Sequence, residues 1–202
     1  MDMPSDVDLW ARTQSGDPQA FSELFRRHST AVYNHAFRRT GSWERAEDAV
    51  SVVFLETWRL RSKVILDEGG TILPWLLGVA NNVIRRQYRT RLRHARLLAR
   101  LPPADAVPDH AIEVDQRLVD QQRMREVLQD MASLTVPEQE VVTLCLWAEL
   151  TYEQAAVAMG IPVGTVRSRL SRARTKLKTA DLGGEPPGRA DETNFDQEGR
   201  RS

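Results

Sequence analysis

Thr151-Tyr-Glu-Gln-Ala-Ala-Val-Ala-Met-Gly160-Ile-Pro-Val-Gly-Thr-Val-Arg-Ser-Arg-Leu170-Ser-Arg-Ala-Arg-Thr-Lys-Leu-Lys178 is the stretch whose reading decides the fold. Thr151 followed by Gln154 is a capping box, in which two side chains satisfy free backbone N–H groups at a helix start. Gly160-Ile-Pro162 is a tight turn before a last helix that ends near Lys178. Ala156, Gly160 and Val166 lie at the spacings a helix-turn-helix needs. A small residue sits where two helices touch, a glycine where the chain turns, and a branched apolar residue where it returns to the core. The last helix divides by face. Val163, Val166, Leu170, Ala173 and Leu177 repeat at three and four residues and can pack inward, leaving Thr165, Arg167, Ser168, Arg169, Arg172, Arg174 and Lys176 outward. Arginines on such a face reach phosphates or bond guanine edges bidentately in the major groove, where a good base contact is worth roughly 1–3 kcal/mol of discrimination. A merely solvated basic helix is the plainer reading, and acid-free clustering at this spacing outweighs it.

Outward from this stretch, charge is segregated although the 28 basic and 28 acidic side chains cancel. Arg85, Arg86, Arg89, Arg91, Arg93, Arg96 and Arg100 fall in a window without an acid, as do the bases from Arg167 to Lys178. Asp105 to Asp130, between them, is acid-rich. Local field, not the sum, decides what such a chain attracts. Proline and glycine cut the chain into long stretches with apolar residues at helical spacing, so the expected class is all-α without strands. Asp17-Pro18 opens a helix running toward Gly41, and Ser42 caps the next. That second stretch, Glu44 to Arg61, carries one stripe of Ala46, Val50, Val53, Thr57 and Leu60 and another of Asp48, Ser51, Val52, Leu55 and Arg59. Two semi-apolar faces imply two partners. Lys63 to Leu73 reads as a loop, and Pro74 starts a helix that continues into the arginines.

These signals divide the chain into an N-terminal extension (1–16), a helical domain (17–101), a flexible linker (102–116) marked by Pro102, Pro103 and Pro108, a smaller helical domain (117–182) and a disordered tail (183–202). In the first domain Arg85, Arg89, Arg93, Arg96 and Arg100 share a helix face that can follow a phosphate backbone. Just before and within it, Asn81 and Asn82 can pair with base edges, and Tyr88 offers a ring to an unstacked base.

At these residues the chain resembles a known family. Ile161 to Arg174, preceded by Leu150-Thr-Tyr-Glu-Gln-Ala-Ala156, is similar to region 4.2 of the extracytoplasmic-function (ECF) sigma factors of the sigma-70 family. Ala46-Glu-Asp-Ala-Val50 with Phe54-Leu-Glu-Thr-Trp58 resembles their region 2.2, and Pro74 to Val83 with the following arginines resembles regions 2.3 and 2.4. The resemblance implies a region 2 helical bundle and a region 4 helix-turn-helix, and an alternative sigma factor that binds core RNA polymerase and directs transcription initiation at promoter DNA. Asp48, Ser51, Val52, Leu55 and Arg59 would dock on the polymerase clamp helices. Asn81, Asn82, Arg85, Arg86, Tyr88 and Arg89 would meet the minus-10 element, with the loop Leu66 to Thr71 holding an extruded base. Thr165, Arg167, Ser168, Arg169, Arg172 and Arg174 would read the minus-35 duplex, and the acidic linker would pass near the polymerase active-site and RNA-exit channels. Ser51 and Val52 depart from the glutamine and acid common in the family, as Ala155 departs from its isoleucine.

An inhibitory partner, an anti-sigma factor, is implied in the same way. The competing class is a stand-alone helix-turn-helix regulator whose N-terminal helices sense a ligand or dimerise. No Walker loop, no Gly-x-Ser-x-Gly and no paired nucleophile and base supports an enzyme, and no cofactor is expected. His28, His35, His94 and His110 are scattered without a completing carboxylate or cysteine set, so no metal site is expected. The single cysteine, Cys145, reads as a small buried apolar residue and points to a reducing compartment, the bacterial cytoplasm. Trp10, Trp43, Trp58, Trp75 and Trp147 read as core anchors. The apolar runs are too short to insert in a membrane.

Overall fold

The computed structural model describes residues 4–64, 66, 70–98 and 116–178, all helical or connecting, with no strand among them. The first group of helices is α1 (Asp6–Gln14), α2 (Pro18–Thr40), α3 (Trp43–Leu60) and α4 (Leu73–Leu98). Their starts follow from local chemistry. The Ser5 hydroxyl accepts from the Asp8 N–H while the Asp8 carboxylate accepts from the Ser5 N–H. Asp17 caps α2 through the N–H groups of Gln19 and Ala20, with Pro18 in the first turn, and Ser42 caps α3. Gly41 ends α2 in the left-handed region, at φ +58°, which favours glycine.

The core of this group joins Leu9 and Trp10 of α1, Leu24, Val32 and Ala36 of α2, Ala49, Val53 and Phe54 of α3, and Leu76, Ala80 and Val83 of α4. Residues 1–16, read from the sequence as an extension, thus include a packed helix. The Trp10 indole donates to the Val64 carbonyl at 3.1 Å, so an apolar ring is buried with its polar handle satisfied. Trp10 is a fully buried anchor, whereas Trp43, Trp58, Trp75 and Trp147 are half-buried at its edges.

The second group is α5 (Gln116–Asp130), α6 (Val136–Val142), α7 (Tyr152–Met159) and α8 (Val163–Lys178). A short 3-10 turn, Met131–Ser133, precedes α6, and a π-helical turn, Thr143–Trp147, follows it. Both capping boxes form: the Glu138 carboxylate accepts from the Thr135 N–H at 2.8 Å, and the Gln154 amide oxygen from the Thr151 N–H at 3.0 Å. Val166, Leu170, Ala173 and Leu177 are the buried stripe of α8 and pack on α6 and α7. Gly160, at φ +63°, makes the turn between α7 and α8.

The two groups touch, a contact the linear sequence does not signal. Helix α4 packs against α7, with Gly78 close to Ala158, and the C-terminal half of α2 meets the π turn and α5. Most of the linker and all of the tail lie outside the described residues, so the expectations of flexibility and disorder there are not addressed by the structure.

Candidate nucleic-acid interface

Helix α8 presents a cationic surface along its length. Arg167, Ser168 and Arg172 are exposed, and Thr165, Arg169 and Arg174 are half-buried beside them. The Ser168 hydroxyl donates to the Thr165 carbonyl at 3.1 Å, and Arg172 Nε to the Ser168 carbonyl at 3.3 Å. The Arg167 guanidinium lies 5.7 Å from the Tyr152 ring centroid, which steadies it at the start of α7. Lys176 differs from these arginines, because its ammonium binds both oxygens of Glu138 at 2.8–3.0 Å. Together with the Thr135 N–H, this pairing pulls the Glu138 carboxyl down to about 2. Lys176 is thus committed to the fold of its own group.

Helix α4 is divided along its length. Tyr88, Arg89, Arg91, Arg93 and Arg96 are exposed on its C-terminal half, and so is Asn82 near its middle. Arg86 is exposed and paired with Glu56 of α3 at 3.0 Å. Asn81 is buried, its side-chain oxygen 3.0 Å from Nε2 of the equally buried His35. Arg85 is held in a bidentate pair, at 2.5 Å through each nitrogen, by the fully buried Glu140 of α6. The structure therefore leaves Asn82, Tyr88 and Arg89 exposed on α4 and gives Asn81 and Arg85 partners in the interior.

On α3, Asp48, Ser51, Leu55 and Arg59 are exposed and Val52 is half-buried, while Ala46, Ala49, Val50, Val53, Phe54 and Thr57 are buried on the other side. Leu55 is 50% exposed, a large apolar side chain on a largely polar face. The loop ahead of α4 is partly outside the described residues, but both its ends are tied to α1. Gln14 Nε2 donates to the Val64 carbonyl at 2.7 Å. Asp6 accepts from the Thr71 hydroxyl at 2.7 Å and the Ile72 N–H at 3.2 Å, and pairs with His28 at 2.8 Å. Burial raises the Asp6 pKa, but these donors outweigh it and leave it below the ordinary value. Asp6, Gln14 and Glu140 are the residues sequence reasoning missed; each acts across long sequence separations, and only the capping pattern around α1 hinted that its segment folds. Among the described residues no cluster of His, Cys, Asp or Glu could hold a metal ion, and no helix is long and apolar enough to cross a membrane.

Comparison with known proteins accounts for both halves. The Sigma-70 region 2 family model matches residues 24–94, and the Sigma-70, region 4 model matches residues 124–177. The chain belongs to the sigma-70 family. ECF RNA polymerase sigma factor SigE of Mycolicibacterium smegmatis is 30% identical over 167 residues, covering 81% of this chain and 63% of the relative. RNA polymerase sigma factor NccH of Alcaligenes xylosoxydans xylosoxydans is 29% identical over 178 residues, or 85% of this chain and 92% of the relative. Among solved structures, CnrH in complex with the cytosolic domain of CnrY superposes with a TM-score of 0.64 at 25% identity, over 88% of this chain and 97% of that one. The sigma factor RpoE of Bartonella quintana shares the fold, with a TM-score of 0.57 at 22% identity over 79% of this chain and 94% of that one. These relatives mark the chain as an ECF-type alternative sigma factor, and matches spanning both halves do not favour a stand-alone helix-turn-helix regulator.

Proposed function

We propose that this chain brings core RNA polymerase to promoters by dividing DNA recognition between its two halves. The observation that carries the reading is the face of α8, where Arg167, Ser168, Arg169 and Arg172 project from the second helix of a helix-turn-helix without an acid on that helix. In this reading α8 enters the major groove of the minus-35 element, with Thr165 and Arg174 at the edges of the contact. Helix α4 addresses the minus-10 element through Asn82, Tyr88 and Arg89, joined by Asn81, Arg85 and Arg86 if they are released from their present partners. Extruding a base there costs a few kcal/mol of unstacking, which an aromatic ring and an arginine track can offset. The face of α3 formed by the exposed Asp48, Ser51, Leu55 and Arg59 and the half-buried Val52 docks on the polymerase clamp helices.

The functional units are a region 2 domain over 17–101, preceded by α1, and a region 4 domain over 117–182, with 102–116 joining them. The chain works in the bacterial cytoplasm without a cofactor and catalyses no reaction itself. An anti-sigma factor restrains it, a role supported by the solved complex of CnrH with the CnrY cytosolic domain. Run-off transcription from host genomic promoters, with core polymerase in the presence and absence of the chain, tests the reading. Specific transcripts should depend on the chain, and their absence at every promoter overturns the proposal.

A further inference from the structure

Helices α1, α2 and α3 each start on a cap from their own chain, the side chains of Ser5, Asp17 and Ser42, which accept from N–H groups of the first turn. Helix α4 does not. Its first helical hydrogen bond runs from the Leu76 N–H to the Ile72 carbonyl at 3.0 Å, so the residue at the cap position is an isoleucine, which has no side-chain acceptor. The Ile72 N–H donates instead to Asp6 of α1 at 3.2 Å. The Leu73 N–H donates to the Thr71 hydroxyl at 3.3 Å, and that hydroxyl donates in turn to Asp6 at 2.7 Å. The start of α4 is thus completed by a carboxylate 65 positions away from Thr71 in the chain.

Asp6 is the first of a row. Asp6, Trp10 and Gln14 recur at four-residue spacing, which puts them on one face of α1. Trp10 and Gln14 both donate to the Val64 carbonyl, at 3.1 and 2.7 Å, and so fill its two acceptor sites. Gln14 also donates to the Arg61 carbonyl at 3.0 Å. One face of one short helix therefore fixes both the chain leaving α3 and the start of α4. Asp6 is held from behind as well, paired with His28 at 2.8 Å and Arg27 at 3.3 Å, and its side chain is 9% exposed. A charge so enclosed is tolerated only while its donors stay in place, so its position is narrowly set. The apolar core already joins α1 to the other three helices. What the polar row adds is register, because hydrogen bonds fix distance and direction whereas apolar burial is non-directional.

Resting on the two-element reading above, we infer that Asp6 and Gln14 are positioning residues for minus-10 recognition, acting through Thr71, Ile72 and Val64. Neither touches DNA. They set the point and the direction from which α4 leaves the core, and with it where Asn82, Tyr88 and Arg89 stand against the strand. A helix rises about 1.5 Å per residue, so Arg89 lies roughly 25 Å from Ile72, and a tilt of about 5° at the root displaces it by roughly 2 Å. A binding constellation has to be held to within about 0.5 Å of its productive geometry. Errors at the root of α4 are therefore large on the scale of base recognition.

The test uses a promoter from which the wild-type chain and core polymerase give a run-off transcript, changed one base at a time through both elements. Each template is transcribed with the wild type, Asp6→Ala, Gln14→Ala, Thr71→Val and Thr71→Ser. The readout is the ratio of transcript from the parent promoter to transcript from each changed one. In Asp6→Ala, Gln14→Ala and Thr71→Val that ratio should fall about fivefold or more at the minus-10 positions the wild type discriminates most. It should stay unchanged at minus-35 positions, with core pull-down at the wild-type level. Thr71→Ser, which keeps the hydroxyl, should match the wild type. A merely structural role would lower all transcripts in proportion and leave every ratio as it was; that result overturns the inference, as does an equal fall at both elements. Gln14→Ala, at an exposed position, decides the outcome should Asp6→Ala lose its helical circular dichroism. If the wild type yields no transcript from any promoter, the two-element reading falls and takes the inference with it, whereas unchanged ratios with an active wild type remove the inference alone.

Discussion

Helices α4 and α8 are the two arginine-rich helices of this chain, and they are used differently. Helix α8 has one buried stripe, Val166, Leu170, Ala173 and Leu177, flanked by half-buried Val163, Thr165, Arg169 and Arg174, and opens Arg167, Ser168, Ser171 and Arg172 to solvent. Helix α4 is embedded through its first three turns, where Leu76, Leu77, Val79, Ala80, Val83 and Ile84 are all buried, and only its C-terminal half is free. One cationic helix is supported from beneath along its length; the other is held at its root and projects.

The sharpest way to break this contrast is at the root of α4. Trp10 of α1 seals that end against Trp75, with ring centroids 6.1 Å apart, and helps hold the Val64 end of the loop. Trp10→Ala should cost about 3–5 kcal/mol in denaturant unfolding; a loss below 1 kcal/mol would show that α1 is peripheral after all. A second difference is in acid sensitivity. Burial lowers the His35 pKa to about 4 in the folded chain, against 6.5 when free. The unfolded state therefore binds the proton first, and stability is complete above about pH 6.5 and falls as the pH drops through 4. The loss should reach about 3 kcal/mol, and His35→Gln should flatten it. The corresponding group under α8 is Glu138, whose depressed carboxyl keeps its stabilising effect above pH 4.5 and loses it only as the pH falls toward 2. Chemical unfolding at a series of pH values separates the two windows.

Smaller effects sharpen the functional side. Arg169→Ala and Arg172→Ala should each lower promoter-directed run-off transcription by roughly ten- to a hundredfold, equivalent to about 1–3 kcal/mol, while core polymerase pull-down is unchanged. Loss of core binding in either variant would remove the assignment of α8 to DNA. The smallest change is expected for Arg89→Ala, a single exposed cation on α4. It should weaken single-stranded DNA binding about uniformly across sequences and reduce the salt slope by roughly one; a strongly sequence-dependent loss would mean that Arg89 reads a base.

Much of the fold was legible because its signals are local. The capping boxes at Thr135 and Thr151, the glycine turns at 41 and 160 and the three- and four-residue stripe of α8 each depend on a few neighbouring residues, and each formed as expected. The two faces of α3 were legible for the same reason. Asn81 was not, although a signal was present: Leu77, Asn81 and Ile84 share one face at spacings of four and three, which places the amide on the apolar side of α4. A polar residue on that side takes a buried partner, and the partner, His35, is 46 positions away.

The sequence alone determined the helices after α1, their order, the basic face of α8 and the family, since periodicity, capping and motif spacing are properties of adjacent residues. Only the tertiary structure decided that α1 braces the loop before α4, that Glu140 holds Arg85, and that Gly78 lies against Ala158. Those facts depend on which helices come into contact, and contact between distant segments follows from summed shape and charge complementarity, not from any local pattern.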